Sequence, residues 1–196
     1  MVSYDGGNLD TAGLLDTVQH RLLEMWQEPH RDYHGMSHLE SGLEALERLG
    51  GTQLEKIAFW CHDAVHTNTS PDDEHASVDV AEQLLWGNLT DTELDEVTRL
   101  ILITIEHRPD AGDESGARVS DADLVGLALD WDAYEANIEG IRVELPELSG
   151  REWRARRRRQ VEGLVGRPQL FFTDYGREHW EDRARVNLLR ELDDLR

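Results

Sequence analysis

The chain has 196 residues, a length that predicts a single domain over residues 1–196 with room for a substantial core. Asp and Glu total 41 against 20 Lys and Arg, and the formal charge of −21 disfavours binding to nucleic acid or to an anionic membrane surface. Cys61 is the one cysteine, so no internal disulfide can form and a reducing compartment is expected.

Two further features bear on location. The first seven residues have neither the basic start nor the apolar core of a signal peptide. No apolar run approaches the roughly 20 residues that cross a bilayer. The sequence therefore predicts a cytoplasmic protein with no membrane partner.

Apolar residues recur at helical spacing through most of the chain. The predicted helices cover residues 8 or 10 to 27, 37–49, 53–63, 72–86, 91–107 and 119–129, then the region of 134–141, 153–165 and 178–195. Pro29 stops the first predicted helix, and Pro109 stops the predicted helix at residues 91–107. The Gly-rich and acidic stretch 110–116 is predicted to be a mobile loop. No stretch alternates as a strand would, so the sequence predicts an all-α, single-domain helical bundle.

Three short segments carry the residue types of a metal site, namely YHGMSH at 33–38, FWCHDAVH at 59–66 and DADL at 121–124. His62 and Asp63 offer an imidazole and a carboxylate to one cation, and the two oxygens of Asp63 could bridge two cations. His34 and His38 are four residues apart, so on one helical turn they would share a face. Mixed imidazole and carboxylate ligands suit Zn, Fe, Mn, Co or Ni, and Mg is an additional candidate. Water on such an ion becomes a usable nucleophile near neutral pH.

The ordered pattern of His38, His62-Asp63 and Asp123 resembles the signature of the HD-domain superfamily of metal-dependent phosphohydrolases. The three segments, an acidic segment that ends in Glu74 and the stretches 141–144 and 183–188 also resemble a small bacterial branch of predicted HD phosphohydrolases. The resemblance covers most of the chain. It implies an HD-type helical fold and metal-dependent hydrolysis of a phosphoester.

The resemblance also implies roles for individual residues. His38, His62, Asp63 and Asp123 would bind one or two divalent ions. The similar cyclic-nucleotide phosphodiesterases place their last ligand in an Ala-Asp-Leu triplet, which favours Asp123, whereas Asp121 could instead cap its helix. The catalytic residues would be Asp63, His34 and His66. Of these, His34 would donate a proton and His66 would face the phosphate. The longer phosphodiesterase pattern around the nucleotide base is absent, so a cyclic-nucleotide substrate is not inferred.

Arg31, His107 and Arg142 are candidates to contact the substrate phosphate, and each arginine has an equal claim to a structural role. For His107, the competing role is to cap helix carbonyls. Six arginines between residues 151 and 159 form either a solvated helix face or a phosphate contact. The oligomeric state stays open, a homo-oligomer included.

The expected function is hydrolysis of a small phosphorylated compound, a nucleotide being the first choice. Three alternatives stay open at this point. They are a deoxynucleotide triphosphohydrolase, a non-catalytic metal-containing nucleotide-binding or regulatory module, and a di-iron oxygenase of the HD type.

Overall fold

The computed structural model describes residues 11–195, apart from the side chains of residues 11, 12, 14, 15 and 17. In this part of the chain there is no strand. The helices are α1 (Thr11–Trp26), α2 (Met36–Arg48), α3 (Gln53–Cys61), α4 (Asp72–Leu85), α5 (Asp91–Ile103), α6 (Glu114–Asp123), a 3₁₀ segment (Leu124–Ala128), α7 (Trp131–Val143), α8 (Gly150–Val165), α9 (Asp174–His179) and α10 (Glu181–Asp194). The prediction of an all-α bundle is confirmed. The predicted start of the first helix, and the packing of Leu14 and Leu15, lie outside the described part.

Side-chain caps fix where several helices begin. Thr52, Thr90 and Ser149 each accept a hydrogen bond from the backbone N–H three residues on, and a glutamate at that position returns one. These reciprocal pairs satisfy N–H groups that the helix itself leaves free. They therefore set the starts of α3, α5 and α8 from local sequence alone.

Helix α3 occupies the centre of the bundle, in contact with α1, α2, α4, α5 and α6. Its residues Ile57 and Phe59 are fully buried. Gly42 of α2 lies against Phe59, and a Cβ built on Gly42 would stand 2.0 Å from Cζ of that ring. The missing side chain thus lets α2 and α3 approach closely, and this brings together the 33–38 segment, in which α2 begins, and the 59–66 segment, in which α3 ends.

Several boundaries differ from the sequence-based prediction. Helix α5 ends at Ile103, four residues before the predicted end, and His107 adopts a left-handed conformation with φ of 50°. Helix α6 begins at Glu114, inside the stretch predicted to be a mobile loop, because Asp113 caps it and pairs with Arg99. The cap itself is local, because Asp113 accepts the N–H of Gly116, but hydrophobic spacing does not reveal the ion pair that holds Asp113, since Arg99 is 14 residues away.

Two predicted helices are also divided. The predicted 119–129 helix changes to 3₁₀ geometry after Asp123. The last predicted helix is two helices, α9 and α10, which meet at Trp180. No helix in the described part combines the length and the apolar character needed to cross a membrane.

Helices α7 and α8 form a flank of the bundle, and a buried polar group ties them to α10. Glu191 of α10 accepts hydrogen bonds from the hydroxyl of Tyr134 on α7 and from the guanidinium of Arg157 on α8. The Arg157 Nε to Glu191 Oε1 distance is 2.6 Å, and both side chains are nearly fully buried. Because a buried charge is costly without its partner, this group holds both helices in place.

Candidate metal centre

Four side chains from the three motif segments meet at one place. Nε2 of His38, on α2, lies 2.9 Å from Oδ1 of Asp123, at the end of α6. Nε2 of His62, just beyond α3, lies 3.3 Å from the same oxygen and 3.4 Å from Nε2 of His38. Oδ2 of Asp63 lies 3.4 Å from His62 Nε2 and 4.0 Å from His38 Nε2. The groups that the sequence places far apart therefore converge on one point.

These spacings suit the ligands of a cation. Zn and similar ions bind nitrogen and oxygen at about 2.1 Å, so neighbouring ligands of one ion stand roughly 3.0–3.4 Å apart. Donor atoms of His38, His62 and Asp123 lie within 4.8 Å of one another, and these residues can hold a metal ion. A mixed imidazole and carboxylate set is typical of divalent transition metals.

The backbone prepares His62 to bind through Nε2. Its Nδ1 lies 2.7 Å from the carbonyl oxygen of Phe59, which can only accept a hydrogen bond. Nδ1 therefore carries the proton, and in the neutral ring Nε2 presents a lone pair toward His38 and Asp123. Such a bond to a carbonyl is how proteins orient histidine ligands of metals.

The electrostatics of the group also favour a bound positive charge. Burial alone would lower the pKa of His62, but the negative charges of Asp63 and Asp123 raise it well above its ordinary value. Conversely, burial would raise the pKa of either carboxyl, and the neighbouring His62 instead holds both pKa values below their usual range. A proton here occupies the electrostatic position that a cation would take.

His107 supports this group from the outside. Its Nε2 lies 2.7 Å from Oδ2 of Asp123, the oxygen that does not face the two histidines. The ring also lines the adjoining cavity. The contact with Asp123 lets His107 orient a candidate ligand, and its predicted contact with substrate stays a prediction.

A second buried group lies beside the first. Nδ1 of His34 is 2.7 Å from Oε2 of Glu144, and Nε2 of His66 is 3.5 Å from the same oxygen. The rings of His34 and His66 stack with centroids 4.0 Å apart. These three residues could also hold a cation. The 2.7 Å contact, however, is that of a hydrogen bond and is shorter than the spacing of two ligands on one ion.

Glu144, at the end of α7, also fixes the turn that carries His34. Its Oε1 accepts hydrogen bonds from the backbone N–H groups of Asp32 and His34, each at 2.8 Å. Burial would raise the pKa of Glu144, but the hydrogen bond from His34 and the nearby imidazole of His66 hold it well below its usual range. The carboxylate is therefore ionised and fully buried. His34 lies in this turn, before α2 begins, and does not share a helical turn with His38.

Asp121 and Asp123 have different environments. Asp121 points away from the histidines and accepts hydrogen bonds from the N–H of Phe172, and from the N–H and hydroxyl of Thr173. Burial raises the pKa of Asp121 to about 6. It ties α6 to the segment before α9, whereas Asp123 belongs to the candidate metal group.

The predicted substrate contacts of Arg31 and Arg142 have no support in the geometry. The side chain of Arg31 is 1% exposed, and it donates to the carbonyls of Asp63, at 2.7 Å, and of Ala64, at 3.1 Å. Arg142 donates to the carbonyls of Leu145 and Leu148, after α7. Neither lines the cavity. Arg31 instead holds the backbone that carries Asp63, and these hydrogen bonds within the protein already satisfy its buried guanidinium.

A cavity of about 370 Å³ opens above the two groups. One face of α7 and one face of α8 form its far wall, with Ile138, Ile141, Trp153, Arg156 and Arg157 among the lining residues. The volume is near the lower end of the roughly 300–1,000 Å³ that small-ligand sites occupy. The cavity therefore suits a small molecule with one end at His38, His62 and Asp123.

Three further features lie near the site or in its motif segments. Glu74 lies in the first turn of α4, accepts a hydrogen bond from Ser70 at 2.8 Å and lines the cavity. Cys61 is fully buried, and burial raises the pKa of its thiol to about 12. The arginine-rich stretch is mixed, because Arg158 pairs with Glu162 on the surface while Arg157 is buried.

Sequence reasoning missed Glu144 as part of the site and did not distinguish Arg157 from the five arginines near it. The only signal for Glu144 was its place in a segment that carried the family resemblance. Arg157 was hidden among neighbouring arginines, and only its position on the inner face of α8 distinguishes it.

The chain matches no protein-family model, no curated protein and no solved structure. The functional argument therefore depends on the residues and geometry described above.

Proposed function

We propose that this chain is a metal-dependent phosphohydrolase that acts on a small phosphorylated compound, with a nucleotide as the first choice. The observation that carries the proposal is the convergence of His38, His62, Asp63 and Asp123 at one end of a small cavity. His34 adjoins that end of the cavity, and its Nδ1 is hydrogen-bonded to the buried carboxylate of Glu144. This combination is what phosphoester hydrolysis requires.

The four convergent residues would hold one or two divalent ions, and Asp63 is the candidate bridge because both of its oxygens can bind. A bound divalent ion lowers the pKa of water and stabilises the negative charge that develops on phosphoryl oxygens. Without that charge, the acidic cavity would repel an anionic substrate.

His34 is proposed as the proton donor to the leaving oxygen. Its Nδ1 is committed to Glu144, so Nε2 is the nitrogen left to face the cavity. Burial lowers the pKa of His34, which reduces the protonated fraction of the ring near neutral pH, and the hydrogen bond to Glu144 opposes this effect. The proposed proton donor is the protonated ring, which the ionised Glu144 stabilises.

His66 completes the proposed site on the same side. Its side chain lines the cavity, and its buried Nε2 lies 3.5 Å from Oε2 of Glu144 without completing a hydrogen bond among the described residues. Buried polar nitrogens are normally satisfied, so a substrate oxygen could complete the bonding of this atom. His66 is therefore proposed to contact the phosphoryl group.

The proposal is tested by elemental analysis of the purified protein, together with a panel of phosphate esters, on the wild type and on His62→Ala. We expect the wild type to retain a divalent transition metal and to release orthophosphate. His62→Ala should lose both the metal and the turnover while it keeps its helical circular-dichroism signal.

Arg154→Gln serves as the matched control, because Arg154 is exposed and does not line the cavity. Full metal content and full activity in His62→Ala would refute the proposal. Release of inorganic triphosphate from a deoxynucleotide would identify the triphosphohydrolase alternative. Metal-dependent oxygen consumption without phosphate release would identify the oxygenase.

A further inference from the structure

The cavity carries a single arginine that no carboxylate neutralises. Two arginines line it, both on α8. Arg157 is fully engaged, with its guanidinium bound to Glu191 and to the side-chain oxygen of Gln160 at 3.0 Å. Arg156, in contrast, has no carboxylate within ion-pair distance among the described residues. Its one hydrogen bond is to the carbonyl oxygen of Asn68, at 3.3 Å.

Arg156 lines the same cavity as the candidate metal ligands. His38 and His62 are buried, whereas Arg156 is exposed and so lies at the mouth. Its contact with Asn68 places it beside the loop that leaves His66. A ligand that occupies the whole cavity therefore meets the candidate metal end with one group and Arg156 with another.

Apolar side chains form part of the cavity lining. Ile138 and Ile141 contribute from α7, and Trp153 contributes from α8, beside the polar Asn137 and Gln160. Such a mixed surface accommodates an organic group with a few polar substituents. One ligand could therefore contact the candidate metal ligands, these apolar side chains and Arg156.

We propose that Arg156 is a specificity-determining residue that binds a second anionic group of the substrate, so that the preferred substrate is a small phosphate ester with an additional carboxylate or phosphate. This inference rests on the proposed function, since it assumes a phosphoryl group at His38, His62 and Asp123. An unpaired guanidinium binds a carboxylate or a phosphate through two parallel hydrogen bonds. In a chain with a formal charge of −21, such a local cation also offsets the repulsion of a doubly anionic ligand.

The test uses two phosphonates, which a phosphoesterase does not cleave. Phenylphosphonate has one anionic group, and 4-carboxyphenylphosphonate has a second group at the far end of the ring. Calorimetric titration of the purified metal-containing protein measures the Kd of each. We expect the wild type to bind the carboxylated compound about ten-fold more tightly, as one exposed charge-assisted contact provides.

The variants distinguish direct contact from a structural role. Arg156→Gln should abolish the preference and leave the Kd of phenylphosphonate unchanged, and Arg156→Lys should keep part of the preference. Arg154→Gln, on the same helix but outside the cavity lining, should behave as the wild type. If Arg156 only supported the Asn68 loop, its loss would weaken both compounds equally, and that result would overturn the inference.

Three other outcomes would also overturn the inference. They are equal affinity of the wild type for the two compounds, no binding of either compound, and a preference that survives Arg156→Gln. Failure of the proposed function has a separate signature. It would appear as no turnover of any phosphate ester while the phosphonate preference and its dependence on Arg156 remained.

Discussion

His34 and Glu144 are separated by 110 positions in the sequence, yet Nδ1 of one lies 2.7 Å from a carboxylate oxygen of the other. The same carboxylate accepts the backbone N–H of His34, so it fixes both the ring and the turn that carries it. Because that carboxylate is fully buried, water cannot replace His34 as its hydrogen-bond partner unless the surrounding structure opens. This relationship holds the ring of His34 in one orientation, which the proposed proton donor would need.

Glu144→Gln should reduce kcat by roughly 10–100-fold while the metal content stays at the wild-type level. The amide keeps the size of the side chain but loses the charge that holds the proton on His34. Phosphate release and elemental analysis measure the two quantities. Loss of the metal in this variant would place Glu144 among the ligands and would contradict the role assigned here.

His34→Ala should retain the metal and slow hydrolysis by about 10²–10⁴-fold for esters with poor leaving groups. Aryl esters with electron-withdrawing substituents need less proton transfer and should be slowed much less. A series of aryl phosphates of graded leaving-group pKa measures this difference. Equal slowing across the series would exclude proton donation by His34.

Asp123→Ala and Asp121→Ala should separate metal binding from stability. Asp123→Ala removes a candidate ligand, so the protein should lose its metal. Asp121→Ala leaves the buried backbone groups of Phe172 and Thr173 without a partner, at a cost of about 2–3 kcal/mol in the free energy of unfolding. It should keep its metal. Elemental analysis and urea denaturation of both variants check this, and the reverse pattern would contradict the assignment of the last ligand.

Gly42→Ala should destabilise the protein by about 1–3 kcal/mol, because the added Cβ would meet the Phe59 ring. The ring lies against His62, with centroids 4.5 Å apart, so metal affinity should fall as well. Gly163→Ala on α8 is the matched control. A Cβ there meets nothing within 4 Å, and the change should stabilise the helix by about 0.5–1 kcal/mol. Thermal unfolding of both variants measures the contrast, and equal stability would show that α2 and α3 can separate without cost.

The ion pair of Glu55 and Arg118 predicts an acid limit to stability. Burial would raise the pKa of Glu55, but hydrogen bonds from Arg118 at 2.8 and 2.9 Å lower it overall. A carboxyl whose folded pKa is lowered stabilises the fold above its unfolded pKa of about 4.3, and this contribution is lost as the pH falls through the folded value. Glu55→Gln should therefore flatten the decline in stability below about pH 4.3.

Urea denaturation across the acid range, on protein treated with a chelator, measures the effect of Glu55 without pH-dependent release of metal, and the titration of the other groups cancels between wild type and variant. An identical pH dependence in wild type and variant would show that the pair contributes nothing. The pair joins α3 to α6, the helices that lead to His62 and to Asp123, so its loss should also weaken metal binding near neutral pH.

Local sequence determined the helical class and most helix positions, because hydrophobic spacing of 3.6 residues and side-chain caps act within a few residues of each other. It also singled out the residues of the candidate metal group, since His38, His62-Asp63 and Asp123 lie in short segments rich in ligand types. The end of α5 and the start of α6 were predicted wrongly. Their bounds depend on the turn at His107 and on the distant pair of Arg99 with Asp113.

Only the tertiary structure decided which polar groups share an environment. It separated Asp121 from Asp123, which are two residues apart but point to different partners. It brought Glu144 to His34, assigned Arg31 to the backbone of Asp63, and placed Arg156 at the mouth of the cavity. The physical reason is that the role of a charged side chain is set by burial and by partners distant in sequence, and these exist only once the helices have packed.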